Sequence, residues 1–336
     1  MEHKERVLTE EEKLEGVRKL LLRSKGLSRS NFGVRVHFYT PSFISYRSKL
    51  APKVRGYFPS ISITGYRCAL RCKHCGGKLL KTMIPVTSPS KLLKVCSRIK
   101  ELGGVGCLIS GGSGPDGKVP IKQYIDAISM IKKSLELTIF VHTGLVDEDT
   151  AIKMKEAGVD AALIDVIGSN ETIKDVYRLN ATVEDFEFSL SALKEAGVPI
   201  VPHVLVGLHY GKVKGEYKAL EMISRHDPSA LIIIVFFPIK GTVMEEVRPP
   251  HPLSVARLMA QARLMMPNTP ISLGCARPKR KYRAEIDRLA IKAGVNAIAF
   301  PDDAAIIEAR REGLEIRFSP FCCSQIYRDI SAKRET

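Results

Sequence analysis

Cys68-Ala-Leu-Arg-Cys72-Lys-His-Cys75 places three thiols within eight residues. A tetrahedral zinc site wants a fourth ligand, normally from a second Cys or His pair. The only neighbour on offer is His74, adjacent to Cys75 and in the wrong register to join it. A cubane iron–sulfur cluster needs thiolates on three irons and can leave the fourth open to a small molecule. Five further cysteines, Cys96, Cys107, Cys275, Cys322 and Cys323, complete a total of eight. In the reducing compartment expected for this chain, clustered cysteines read as metal ligands or catalysts before disulfides. Cys96, inside a helical pattern, and Cys107, inside an apolar run, read as small buried hydrophobes.

Short apolar runs position these thiols. ISIT (61–64), VGCLIS (105–110), LTIFVH (137–142), DAALID (160–165), IVPHVLV (200–206), ALIIIVFF (230–237), ISLGC (271–275) and NAIAF (296–300) have the length and composition of buried strands. Helix-like stretches separate them, and boundaries such as KEAGVD and KEAGVPI repeat a basic helix end, a glycine stop and a strand. Eight such units predict an α/β fold, a (β/α)8 barrel of the TIM type, with a doubly wound open sheet as the alternative. The expected organisation is an N-terminal extension over 1–59, the barrel over 60–302, and a C-terminal segment over 303–336. The extension reads as an amphipathic helix over 9–24 and then an extended lead-in. In a parallel barrel, chemistry sits in the loops after the strands. Cys68–Cys75, Ser110–Gly114, His142–Gly144, Asp165–Asn170 and Cys275–Arg277 all fall there.

Basic residues number 52 and acidic ones 36, a net charge of +16 that favours acidic partners. No apolar run approaches the roughly 20 residues of a membrane span. The N-terminus is charged throughout, so a cytoplasmic protein is expected. A basic, zinc-bearing nucleic-acid-binding protein would explain the charge and the first thiols, but the chain has no second C-x2-C pair and no nucleic-acid motif.

The C-x3-C-x2-C spacing after a first barrel strand resembles the signature of the radical S-adenosylmethionine (SAM) superfamily. The resemblance implies a 4Fe–4S cluster on Cys68, Cys72 and Cys75, with SAM on the open iron and a 5′-deoxyadenosyl radical as the product of its cleavage. It places His74 near the adenine. Ser110, Gly111 and Gly112 match the family's glycine-rich turn, with Ser113 where many members carry an acid. Asp165 and Arg178 are the remaining implied cofactor-binding residues, Asp165 on the ribose hydroxyls.

From about 60 to 300 the chain resembles the biotin synthase branch, through ATVEDFEFSLSALKEAGVPIVPHVLVGL, IKGTVMEE and VARLMAQARLMMPNTPISLGCARP. Arg277 falls on an arginine that in this branch helps hold an auxiliary iron–sulfur cluster. The branch's three inner-strand cysteines are not reproduced: Cys107 lies near the first, and Phe140 and His203 stand near the others. Cys275, Cys322 and Cys323 are offered instead, with Ser324 as a possible oxygen ligand, provided that the C-terminal tail closes over the barrel mouth. That arrangement resembles the archaeal two-protein lipoyl synthases. It implies sulfur insertion into a protein-bound octanoyl chain, with an octanoylated lipoyl carrier protein or peptide, a second radical SAM protein and an electron donor such as ferredoxin as partners. Another biotin synthase-like enzyme is the alternative. His142, His203, His209 and Tyr210 are expected near the substrate mouth, and Lys279, Arg280, Lys281 and Arg283 form a basic patch suited to an acidic carrier.

Overall fold

The computed structural model describes residues 10–43 and 45–331; positions 1–9 of the expected extension and 332–336 of the C-terminal segment lie outside the described residues. Eleven strands form one sheet: β1 (Arg35–Tyr39), β2 (Ser60–Ser62), β3 (Ile84–Pro85), β4 (Gly106–Ser110), β5 (Thr138–His142), β6 (Ala161–Asp165), β7 (Ile200–Val206), β8 (Leu231–Val235), β9 (Ile271–Leu273), β10 (Ala297–Ala299) and β11 (Glu315–Ser319). Their order is β11-β1-β10-β9-β8-β7-β6-β5-β4-β2-β3, with parallel neighbours throughout. The eight expected strands are β2 and β4 to β10. The sheet curls as a TIM-type barrel does, but β3 and β11 are its two edges and do not pair, so it remains an open half-barrel.

Side chains alternate across the sheet, as the period of two requires. Ile139, Val141, Ala162, Ile164, Ile233, Leu273 and Ile298 face the surrounding helices in the larger core. The inward face carries smaller residues, among them Ala161, Ala230, Ala297 and Ala299, around Phe140, Leu163 and Ile232. Small inward side chains leave room in the lumen, and Cys322, Cys323 and Ile326 of the C-terminal tail fill it.

That tail enters by a different route from the one expected. After β11, Phe321 packs on Phe58, just ahead of β2, with ring centroids 6.0 Å apart. The short helix Ile326–Ser331 then reaches the N-terminal end of β6, where the Tyr327 hydroxyl donates to the Asp160 carbonyl at 2.6 Å and Arg328 Nη2 pairs with Asp160 Oδ1 at 2.7 Å. The tail therefore stoppers the barrel from the unpaired side and at its floor, not across the mouth. The unclosed gap between β11 and β3 is what permits this.

The N-terminal segment is also more than a lead-in. The helix runs from Glu10 to Phe32 and is tied down by Ser24 Oγ to the Ala293 carbonyl (2.6 Å) and Asn31 Nδ2 to the Pro267 carbonyl (2.8 Å). β1 follows and lies between β10 and β11, with Val36 and Phe38 fully buried. Its polar flanks hide it from periodicity.

Candidate functional site

Hydrogen bonds fix the loop after β2 on several sides. Thr64 Oγ1 donates to the Arg67 carbonyl (2.9 Å) and accepts from Gly112 N (2.7 Å). Ala69 N donates to the Ser113 carbonyl and Lys73 N to the Val176 carbonyl, both at 2.8 Å. Lys73 Nζ meets Asp175 Oδ1 at 2.5 Å and the Tyr210 hydroxyl at 2.9 Å, and that hydroxyl donates to Asp175 Oδ2 at 2.6 Å. The thiol loop is thus laced both to the glycine-rich turn after β4 and to the segments after β6 and β7.

Within this frame the ligand atoms of Cys72, His74 and Cys75 all lie within 4.8 Å of one another. Cys72 is buried, and its Sγ reaches the Tyr177 carbonyl at 3.6 Å. The hydrogen bond between Cys72 and Cys75 pushes the Cys72 thiol up and pulls the Cys75 thiol down, with His74 adding to the lowering. Cys68 lines a cavity of about 950 Å³ together with Thr64, Arg67, Gly112 and Thr143. Gly112 backs the loop so closely that a Cβ there would sit 2.0 Å from the Arg67 carbonyl oxygen and 2.6 Å from Cys68 Cα. His74 stacks on Tyr177 with centroids 5.4 Å apart, and among the described residues its buried Nδ1 has no hydrogen-bond partner. Two thiols drawn together, with the third, Cys68, outside that 4.8 Å group on the wall of the large adjoining cavity, and an unsatisfied ring nitrogen fit a cluster with one open iron and a purine-bearing partner.

The lumen holds the second set. Cys322 has extended backbone and the chain turns immediately after it, through 323–325. That turn lets neighbouring cysteines, which an extended chain would point apart, share one buried environment. Cys322 Sγ donates to Ser324 Oγ at 3.7 Å. Hydrogen bonding from Cys323 draws the Cys322 thiol down to about 7 and pushes the Cys323 thiol up, while burial raises Cys275 to about 11, with the neighbouring Cys322 adding to it. Cys275, Cys322 and Cys323 are not among the groups whose donor atoms all fall within 4.8 Å. One tetrahedral zinc ion would hold its thiolates about 3.8 Å apart, whereas cluster ligands sit on different irons and spread wider.

The remaining expected residues lie elsewhere in the barrel. Arg277 is fully buried in a two-pronged pair with Asp287, at 2.7 and 2.8 Å, and also donates to the carbonyls of Gly274 (2.6 Å) and Phe300 (3.1 Å). These bonds brace the Cys275 turn and the residue that follows β10, with the guanidinium near Cys275. Ser272 is the inward position on β9: it is buried and lies beside Cys323. Cys107 packs outward against Cys96 in the helix-facing core. Ser110 is buried at the end of β4, with its carbonyl accepting from Ile63 N at 2.8 Å. Arg178 is exposed, in left-handed backbone after the turn 173–177. Asp165 Oδ2 faces the Tyr177 hydroxyl at 3.4 Å, beside His74. Tyr177, Asp175 and Asp287 were not foreseen; each acts on a partner distant in sequence, which periodicity does not reveal.

Comparison with known proteins accords with this architecture. Residues 62–213 match the radical SAM superfamily profile, and 233–320 match the biotin and thiamin synthesis associated domain. The biotin synthase of Neorickettsia sennetsu is 28% identical over 219 residues, covering 64% of this chain and 66% of its own length. The biotin synthase of Zymomonas mobilis is 25% identical over 183 residues, covering 53% of each. The chain thus spans from about half to just under two thirds of the length of these curated relatives. Methylornithine synthase shares the fold at 16% identity and a TM-score of 0.63, covering 96% of this chain and 93% of its own. The [FeFe]-hydrogenase maturase of Carboxydothermus hydrogenoformans does so at 15% and 0.60, covering 87% and 64%. Membership implies SAM and a 4Fe–4S cluster. With the thiol loop, the curled parallel sheet and both matched profiles in place, the chain belongs to the radical SAM superfamily, in its biotin synthase-like branch.

Proposed function

We propose that the chain inserts sulfur into an octanoyl chain presented by a lipoyl carrier protein or peptide, with Cys68, Cys72 and Cys75 holding the SAM-cleaving cluster and Cys275, Cys322 and Cys323 a second, sulfur-bearing one. One observation carries the reading: the C-terminal tail places two adjacent cysteines inside the barrel, in a buried group against which the partly buried Cys275 packs. When bound, the two clusters and SAM supply a carbon-centred radical and the sulfide that captures it.

The protein's own residues do the positioning. Lys73, Asp175 and Tyr210 keep the thiol loop across the sheet's upper edge. His74 and Tyr177 offer a stacked pair for a purine, and Asp165 Oδ2 a hydroxyl acceptor beside it. Ser110, Gly111 and Gly112 run alongside the loop, and at Gly112 a side chain would intrude on it. Ser324, hydrogen-bonded to Cys322, stands ready as an oxygen ligand on a labile iron. Lys279, Arg280 and Lys281 are exposed beside the Cys275 turn and suit an acidic carrier surface. A ferredoxin-type donor and a second radical SAM protein complete the proposed system. Among the described residues no helix is long and apolar enough to cross a membrane.

The biotin synthase relatives favour a second reading, in which the sulfur acceptor is a small molecule. Anaerobic enzyme with SAM, reductant and octanoylated carrier peptide separates the two. A mass gain of sulfur on the peptide with matching deoxyadenosine supports the first reading. Deoxyadenosine formed with the peptide unchanged, and sulfur delivered to a small acceptor, supports the second.

A further inference from the structure

Three inward side chains at the top of the lumen form a separate constellation. His142 ends β5, Asp165 ends β6 and His203 lies within β7. The register pairs Asp165 with His203 and His142 with Leu163, two residues before Asp165 on the same face. In a parallel sheet, side chains on one face of adjacent strands stand about 5 Å apart. These three are therefore held together by backbone pairing and not by loop conformation. Their ligand atoms all lie within 4.8 Å of one another.

His142 Nε2 and Asp165 Oδ1 form a loose ion pair at 3.5 Å, and among the described residues that buried oxygen has no closer hydrogen-bond partner. His203 is oriented by Nδ1 against the Val201 carbonyl at 3.1 Å, which leaves its other nitrogen as the one turned to the group. The His142 and His203 rings meet edge-on, with centroids 5.5 Å apart. A carbonyl fixing one ring nitrogen of a histidine is the arrangement that commonly orients the other towards a metal. Two imidazoles and one carboxylate are a donor set for Zn²⁺, Fe²⁺ or Co²⁺.

We propose that His142, Asp165 and His203 bind one divalent transition-metal ion in the lumen, between the two cysteine sets and distinct from both. One carboxylate against a doubly charged ion leaves a net positive centre beside the Cys322 thiol, suited to hold an anionic ligand or substrate group. Asp165 serves this site through Oδ1, while Oδ2 remains turned to Tyr177.

The test uses full-length protein carrying its iron–sulfur clusters, freed of adventitious metal by a chelator and titrated anaerobically with Co²⁺. The expected result is one Co²⁺ per chain, with d–d bands of nitrogen and oxygen coordination and no thiolate-to-cobalt charge transfer. His203→Gln and Asp165→Asn should each weaken binding by at least ~10-fold, with iron and sulfide unchanged, since even losing a ligand's supporting partner costs that much. His209→Gln, outside the trio, should leave it alone. No saturable uptake, a thiolate charge-transfer band, or uptake indifferent to both trio variants would overturn the proposal. If His203→Gln loses its clusters through misfolding, Asp165→Asn decides. None of these readouts depends on the sulfur acceptor.

Discussion

Replacing Gly112 with Ala tests whether the glycine-rich turn and the thiol loop are one mechanical unit. The added Cβ would lie 2.0 Å from the Arg67 carbonyl oxygen and 2.6 Å from both Cys68 Cα and Cβ. Ordinary contact begins at 3.4 Å, so the Arg67 carbonyl must withdraw by about 1.4 Å. Backbone cannot rotate away as a side-chain tip can. The carbonyl is also held by Thr64 Oγ1 at 2.9 Å, the same hydroxyl that accepts from Gly112 N. Withdrawal therefore breaks a hydrogen bond and carries Cys68 with it. Overpacking of this kind costs about 1–3 kcal/mol. Displacing one thiol by about an ångström should lower loop-cluster occupancy severalfold. Gly111 is the internal control: its Cβ would meet Ile63 and Thr64 side-chain atoms at 3.2–3.3 Å, a strain that small shifts relieve. The assay is iron and labile sulfide per chain, the EPR signal of the reduced cluster, and the SAM cleavage rate. Gly112→Ala should lose most of all three and Gly111→Ala little. Full occupancy with cleavage within twofold of wild type in Gly112→Ala would refute the reasoning.

The Arg277–Asp287 pair is buried on both sides, so Asp287→Asn strands a guanidinium and should cost about 3–5 kcal/mol in urea unfolding; a loss below about 1 kcal/mol would show that the pair is not needed. Partial burial disfavours charge on Glu312, yet Lys25 Nζ and Arg29 Nη2, each 2.9 Å away, hold its carboxyl below its ordinary value. The contribution is therefore present above the unfolded carboxylate pKa of about 4.3 and is lost as pH falls through the lower folded value. Glu312→Gln should thus be about 1 kcal/mol less stable than wild type at pH 7, with the gap closing on acidification. A gap that persists unchanged to about pH 3 would contradict this.

The eight barrel strands were legible because each is a near-continuous apolar run bounded by glycine, proline or a basic helix end. β1 was not: RVHFY is buried on both faces, yet it sits among Arg and Ser residues, and its role comes from pairing with β10 and β11. EIRFS in β11 is a half-exposed edge strand with little apolar signal. The thiol loop was legible from spacing alone. The setting of Arg277 was not legible, because standing two residues from Cys275 says nothing about direction, and its partner Asp287 lies ten positions on. The exposure of Arg178 was not legible, because it follows from the turn before it. His142, Asp165 and His203 were each visible at strand ends, but their convergence is a property of register, which one strand's sequence cannot report. The tail's entry through the open side follows from the sheet's failure to close, itself set by the pairing of the unforeseen β1 and β11.

Iron and acid-labile sulfide, counted on anaerobically reconstituted protein, test the central claim most directly. Wild type should hold about eight irons, two cubanes' worth, and the Cys68→Ala/Cys72→Ala/Cys75→Ala variant about four with SAM cleavage abolished. About four in wild type and none in the variant would remove the second cluster, and with it the sulfur donor. Continued SAM cleavage by the triple variant would contradict the account at its root.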